Sequence, residues 1–357
     1  MMYKLIVKNF GPLKDVNIEL NKINLFIGEN GSGKSVLAKL VTVILNGTLY
    51  SQATIVKEFH NYNINYIQDD TIIQLYFKNK KLFSLKKQKI LFYISKQDEF
   101  SNKLEEMNVP SNDRFFLIRQ HDNSLTPQYI PAERNLISLF NKYVTTFITA
   151  DIPLPKFLLN FSSQYVRARE EIRELNFLNV TYKFQSDQER IFYNDEDYLL
   201  LERSSSGIQS ALPLYLTVKY FAKKHKSIII EEPEQNLFPK AQKETIQYII
   251  EQVSDDNNLF MMTHSPYVLS TLNILIFAHK VAQMSEKTKE QVKEFVKEEQ
   301  WINPDDFSAY YLENGVARNI KSSRGLISDN EIDDISEDIA GEFDELMEIY
   351  REFKYAK

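Results

Sequence analysis

The feature that most constrains this chain is the run Gly28-Glu29-Asn30-Gly31-Ser32-Gly33-Lys34-Ser35. It follows an apolar segment, Ile23 to Ile27, and precedes a stretch in which Val36, Leu37, Leu40, Val41 and Ile44 recur at helical spacing. Strand, glycine-rich loop and helix are therefore contiguous, and the loop has the spacing G-x-x-x-x-G-K-[ST]. Each residue type has a chemical reason to be there. Glycines let backbone N–H groups close around phosphate oxygens, a lysine supplies a point charge to the β and γ phosphates, and the Ser35 hydroxyl reaches Mg2+. Asn30, Gly31, Ser32, Gly33, Lys34 and Ser35 are accordingly expected to hold the phosphates of ATP, with Ser35 also serving the metal.

Three further stretches carry chemistry. Ser227 to Ile230 is an apolar strand that delivers Glu231 and Glu232 at its C-terminal end, where open α/β sheets place their ligands. Successive strand residues face opposite sides, so the two acids should have different roles, Glu231 near Mg2+ and Glu232 toward an attacking water. Thr263-His264-Ser265-Pro266 follows the next apolar strand, and an imidazole at that place can hydrogen-bond a γ-phosphate and sense its loss. Finally, Arg203-Ser204-Ser205-Ser206-Gly207-Ile208-Gln209 stands just before an apolar-periodic helix. Unpaired N–H groups, hydroxyls and the helix dipole make such a terminus an anion site, although a plain N-cap uses the same residues.

Composition narrows the class. At 357 residues, with 43% hydrophobic and 26% charged residues, the chain has the makeup of a globular protein with a large core. The absence of cysteine excludes disulfides and thiolate metal sites and fits a reducing compartment. MMYKLIVKNF alternates like a strand instead of carrying a secretory apolar core, and no apolar run is long enough to span a membrane. A cytoplasmic location is expected. A formal charge of −6 argues against a surface wholly given to nucleic acid, though Lys78, Lys80, Lys81, Lys86, Lys87 and Lys89 leave room for a local basic groove.

Along the chain, 3–8, 16–20 and 23–27 read as strands, 62–94 as an antiparallel meander, and 133–178 as mainly helix, forming a helical lobe. A hairpin is expected at 180–201, followed by helix 206–222, strand 227–231, helix 239–253 and strand 258–262. That alternation implies a parallel sheet with crossover helices. The tail reads as a hairpin around Asn314-Gly315 and a helix over about 338–354, on which Ile339, Phe343, Leu346, Tyr350 and Phe353 line one face. No long heptad run is present.

Taken together, these residues resemble the nucleotide-binding fold of ABC-type ATPases, in the branch that holds RecF, SMC and OLD-like proteins; Lys8-Asn9-Phe10-Gly11-Pro12-Leu13-Lys14-Asp15 is similar to the opening of that branch. The resemblance implies an α/β fold of the ABC type: a P-loop core with an antiparallel β-subdomain, a central parallel sheet and an inserted helical lobe. The ATPase domain would span 1–280, with the lobe at about 133–200, and 281–357 would be an extension packed on or beside it. Carried over by position, Gly28 to Ser35 is the Walker A loop, Ser204 to Gln209 the signature, Glu231 and Glu232 the Walker B acids and His264 the switch histidine. Ser205 and Gly207 match the signature serine and second glycine, with Ser206 between them. Glutamate at 231 departs from the usual aspartate. The Q-loop glutamine has no evident counterpart, and Glu133 or Arg134 occupies its place in the chain.

In such ATPases the signature of one copy covers the nucleotide of another, so the resemblance implies ATP hydrolysis by a homodimer or higher oligomer, with Lys34, Glu232 and His264 in catalysis. The strings Tyr129 to Arg134, Ser205 to Gln209 and Thr263 to Pro266 are similar to stand-alone bacterial AAA-family ATPases of antiphage defence operons. A separate effector, toxin or nuclease, from the same operon is the implied partner, with nucleic acid or a phage protein as trigger. A RecF-like repair ATPase that clamps DNA is the competing reading, and a transporter subunit a third. The stretch after His264 is too short, and its acids too largely helical, for a built-in Toprim nuclease.

Overall fold

In a computed structural model the described residues are 3–46, 51–92, 126–140, 146, 149–150, 154–225, 227–253, 257–328, 341–351 and 354. The chain opens with β1 (Tyr3–Phe10) and β2 (Leu13–Leu20), an antiparallel pair from Tyr3↔Leu20 to Phe10↔Leu13. On β2, Leu13, Val16, Ile18 and Leu20 are buried with exposed polar residues between them, the period-2 pattern of a half-covered strand. The next strand, β3 (Ile23–Ile27), is buried throughout, as a central parallel strand must be. It runs through the glycine loop into α1 (Lys34–Leu45), which buries Leu37, Leu40, Val41 and Ile44 as the spacing predicts.

After α2 (Gln52–Asn61) come β4 (Ile72–Phe77), β5 (Lys80–Lys86) and β6 (Lys89–Phe92), the expected meander, which begins ten residues later than predicted. Ile94 lies outside the described residues. Lys78 stands in the β4–β5 turn and Lys87 in the β5–β6 turn, so the basic run divides between the two ends of β5. Next are β7 (Gln128–Ile130), a short 3-10 turn (Ala132–Arg134), α3 (Asn135–Phe140) and α4 (Lys156–Glu171).

The region expected to be mainly helix to 178 turns to strand at 174. β8 (Glu174–Phe177), β9 (Val180–Gln185), β10 (Gln188–Phe192) and β11 (Tyr198–Leu200) form an antiparallel four-stranded sheet in the order β11-β10-β9-β8, in place of the single hairpin that the sequence suggests. The reason is local: Leu178-Asn179 and Ser186-Asp187 both take positive φ at consecutive positions, making tight turns without glycine. The lobe is thus mixed. Buried Tyr165 on α4 donates its hydroxyl to Glu189 on β10, and Arg169 approaches the same carboxylate at 3.4 Å, so a polar cluster ties the helix to this sheet. Burial raises the Glu189 carboxyl above its ordinary range, offset in part by these two partners.

The last third follows the predicted alternation: α5 (Ser206–Phe221), β12 (Ser227–Glu231), α6 (Pro239–Gln252), β13 (Asn258–Met262) and α7 (Pro266–Ala282). Beyond α8 (Glu286–Lys293) lie β14 (Phe307–Glu313) and β15 (Val316–Asn319). The large sheet has the order β6-β5-β4-β1-β2-β15-β14-β3-β13-β12-β7. Strands β14, β3, β13, β12 and β7 run parallel, and the other end is the antiparallel layer.

Two features differ from the expectation for 281–357. β14 pairs with β3 from Phe307↔Ile23 to Tyr311↔Ile27, so this stretch supplies a central strand and is not only laid beside the core. Six consecutive buried residues, Phe307 to Leu312, suit that place. A helix over 341–351 is present, but Phe343, Leu346, Ile349 and Tyr350 are 62%, 64%, 53% and 53% exposed, so its apolar face does not pack on the core. Ile339 and Phe353 lie outside the described residues. Among the described residues no helix is long and apolar enough to cross a membrane.

Candidate nucleotide site

Two glycines shape the loop between β3 and α1. Gly33 takes φ 102° as the N-cap of α1, and its carbonyl accepts from the Leu37 N–H at 2.9 Å, starting the helix. Gly28 sits so close to β14 that a Cβ would stand 2.3 Å from the Leu312 carbonyl oxygen. The central placement of β14 therefore requires glycine at 28. Lys34 folds back, its ammonium donating to the Gly28 (2.6 Å) and Glu29 (2.8 Å) carbonyls. Burial pulls its pKa down, opposed by Glu232, Glu234, Glu231 and Glu29. The Ser32 hydroxyl oxygen is buried with no hydrogen-bond partner among the described residues. A loop of N–H donors at the start of a twelve-residue helix, a buried ammonium and an orphan hydroxyl fit the oxygens of a polyphosphate.

Strand order explains why distant residues meet here. β13 lies between β3 and β12, so the glycine loop, the acids after β12 and His264 after β13 share one rim of the sheet. Glu231 is 3% exposed and accepts hydrogen bonds from the Ser35 and Tyr129 hydroxyls; burial raises its pKa and both bonds oppose the rise. Glu232 points elsewhere. Its backbone is left-handed, φ 44°, with its N–H bonded to the Met262 carbonyl at 2.8 Å, and its carboxylate stands 3.8 Å from His264 Nδ1. The two acids thus face different partners, and the left-handed turn at Glu232, just past the end of β12, sets that direction in place of strand alternation. Among the described residues no cluster of three or more His, Cys, Asp or Glu can hold a metal unaided. Ser35 and Glu231 together fit Mg2+, an ion that commonly takes only one or two protein oxygens beside phosphates and water.

Ser205 is the N-cap of α5, its hydroxyl accepting from Ile208 N–H at 3.4 Å. Ser205 and Ser206 are exposed and Gly207 is half-buried, where a Cβ would meet the Asn236 carbonyl at 3.0 Å. The Gln209 side chain turns back to donate to the carbonyls of Leu201, Glu202 and Ser204, fastening the loop that presents the serines. The plain-cap reading therefore describes the local bonding, and it leaves the serine surface open.

Three residues of the site carry weight that sequence reasoning does not assign. Glu234 is buried; its Oε1 accepts from the Thr263 hydroxyl (2.6 Å) and the His264 N–H (3.1 Å), while Oε2 has no hydrogen-bond partner among the described residues. It holds the backbone of the histidine turn. Tyr129, on β7, holds Glu231. Arg134, given as the alternative to Glu133 in the place of the Q-loop glutamine, is fully buried and among the described residues bonds only backbone carbonyls, those of Glu231 and Glu232 included, while Glu133 is exposed. The Pro131-Ala132-Glu133-Arg134 string is readable in the sequence, but not the direction of its arginine.

The fold and the rim define an α/β protein of the P-loop class with a large mixed sheet. The chain belongs to the AAA ATPase domain family AAA_15, whose family model matches residues 1–148 and 160–269. No curated protein matches the sequence. Among solved structures the chain is similar to an SMC head bound to the C-winged helix domain of ScpA, at 12% identity over 89% of this chain and 97% of that one, TM-score 0.47. It is similar also to the SMC head domain from Thermotoga maritima (12%, 90% and 98%, TM-score 0.43). A third likeness is to the ADP conformation of MJ1267, an ATP-binding cassette of an ABC transporter (15%, 89% and 90%, TM-score 0.37). The fold is defined by strand order and loop, not by these distant likenesses.

Proposed function

We propose that the chain binds ATP with Mg2+ at Gly28 to Ser35 and hydrolyses it as a dimer or higher oligomer, each site completed by Ser205, Ser206 and Gly207 of a second copy. The observation that carries this reading is the convergence of Lys34, Ser35, Glu231, Glu232 and His264 on one rim, together with an exposed serine cap at the α5 N-terminus. Asn30, Gly31, Ser32 and Gly33 wrap the phosphates, and Lys34 exchanges its carbonyl partners for the β and γ oxygens. Ser35 and Glu231 would hold Mg2+, which would neutralise charge on the phosphate oxygens. Glu232 orients a water and takes its proton as the water oxygen bonds to the γ-phosphorus; the bond to the ADP oxygen breaks, and His264 hydrogen-bonds the departing phosphate.

Mixing two inactive variants tests the shared site. Lys34→Ala removes a copy's own loop, and Gly207→Asp spoils what it lends to its partner. One site of a mixed dimer escapes both lesions, so the mixture should regain about a quarter of parental turnover when the copies pair at random. No recovery, with mixed dimers shown to form, would refute the arrangement.

On the same reading the ATPase controls a separate effector, a toxin or nuclease, in a cytoplasmic bacterial antiphage system. Support comes from the exposed face of Phe343, Leu346, Ile349 and Tyr350, flanked by Glu342, Asp344, Glu345 and Glu348, which suits a basic partner. The division of the lysines between two ends of β5 favours this over a DNA clamp. The product of the neighbouring gene should be retained by the intact chain and lost by a folded chain truncated after Ser328; equal recovery removes the tail from the interface.

A further inference from the structure

Arg134 is a cation with no exposed surface and, among the described residues, no carboxylate bonded to it. Its Nε donates to the Ser210 carbonyl at 3.1 Å, Nη1 to the Pro131 (3.1 Å) and Glu231 (2.7 Å) carbonyls, and Nη2 to the Glu232 carbonyl at 2.5 Å. Burying a guanidinium is costly unless its donors are used, and here four backbone oxygens use them. Burial pushes its pKa down to about 10, countered by the nearby Glu234, Glu232, Glu231 and Glu133, so it stays charged at neutral pH.

The four carbonyls belong to three places: the turn after β7, the acid-bearing turn after β12, and the first turns of α5. Two local features show that both targets need holding. Glu232 has a left-handed backbone that a non-glycine residue adopts only when its surroundings impose it. Its N–H is fixed by the Met262 carbonyl, and its own carbonyl accepts both from Arg134 and from the Gln235 N–H at 3.0 Å, so the arginine supplies one of three backbone restraints and the one that ties this turn to another segment. On α5, Pro213 has no N–H to offer the Gln209 carbonyl, which accepts from the Ser138 hydroxyl at 2.6 Å instead. One residue further on, the Ser210 carbonyl takes Arg134. The helix that presents Ser205 and Gly207 is thereby seated on the segment 131–138.

We propose that Arg134 is a positioning residue that locks the Glu231-Glu232 turn of each copy to the serine-capped helix of the same copy. Resting on the function proposed above, this makes the acids a copy uses on its own ATP and the cap it lends to its partner move as one unit. Lysine cannot replace it: an ammonium has three donors on a point, and the four carbonyls lie around a planar fork.

The test uses the full chain with Arg134→Lys and Arg134→Gln. ATP affinity and KM should stay within about threefold of the parent, because Arg134 touches no part of the phosphate loop, while kcat falls about 10- to 100-fold, the scale of a small misplacement of catalytic groups. Loss of affinity and kcat in step, or parental kcat in a folded variant, would overturn the proposal. If the glutamine variant fails to fold, the lysine variant decides. Hydrogen exchange without nucleotide adds a readout independent of turnover: amides of 206–212 and 231–237 should exchange about tenfold faster in Arg134→Lys, both segments together. Unchanged exchange, or a change in one segment alone, would refute the link even in a parent that shows no ATPase activity, an outcome that would refute the proposed function separately.

Discussion

Replacing Lys34 with alanine should reduce ATP affinity by about two orders of magnitude or more while leaving the chain folded. The ammonium is buried and donates to the Gly28 and Glu29 carbonyls at the mouth of its own loop. Charge-assisted hydrogen bonds to phosphate contribute about 1.5–3 kcal/mol each, and about 1.4 kcal/mol is a factor of ten, so losing the bonds to two phosphates accounts for the effect. The fold should survive because Gly28 and Gly33 set the loop's shape through backbone angles and the approach of Leu312, none of which involves the lysine side chain. Calorimetric titration with Mg-ATP on a variant of parental melting temperature measures it. Parental affinity in that protein would show that the loop does not bind the nucleotide.

The second large effect separates binding from turnover. Glu232→Gln keeps size, backbone and position beside His264, and removes only the capacity to accept a proton. Turnover should fall about 10²- to 10⁴-fold, the range for losing a general base, with ATP affinity nearly unchanged. Glu231→Gln should behave differently. Its carboxylate is buried against Ser35 and Tyr129, so losing the charge should raise the Mg2+ concentration needed for activity. Matching effects of the two substitutions in a Mg2+ titration would mean that the division of roles between the acids is wrong.

Much of this rim is legible in the sequence because its parts are short and chemically loaded. Gly28 to Ser35 must follow a buried strand and open a helix, and it does. Glu231 ends a wholly buried strand and Glu232 follows it, so their location at the sheet rim follows from hydrophobic pattern alone. What is not legible depends on contacts between segments far apart in the chain. Nothing near Phe307 announces that it will pair with Ile23, because six buried residues suit any central position. Leu178-Asn179 lacks the glycine that usually marks a tight hairpin, so the first strand of the sheet, Glu174 to Phe177, reads as the end of a helical stretch, and the strands after it read as a single hairpin. Arg134 stands out in the sequence as a charged residue in the right place, yet its partners are main-chain oxygens from residues 131, 210, 231 and 232, and carbonyls leave no trace in sequence.

The central claim, an ATP site closed between two copies and opened by hydrolysis, is tested most directly by the mass of the Glu232→Gln protein in solution with and without Mg-ATP. Light scattering should give a higher mass with Mg-ATP, at least twice that of the single chain, persisting over the observation time, whereas the parent should return to its starting mass as ATP is consumed. A Glu232→Gln protein that binds ATP yet keeps the same mass with and without it would contradict the closed, shared site, and hydrolysis at the parental rate would contradict the role given to Glu232.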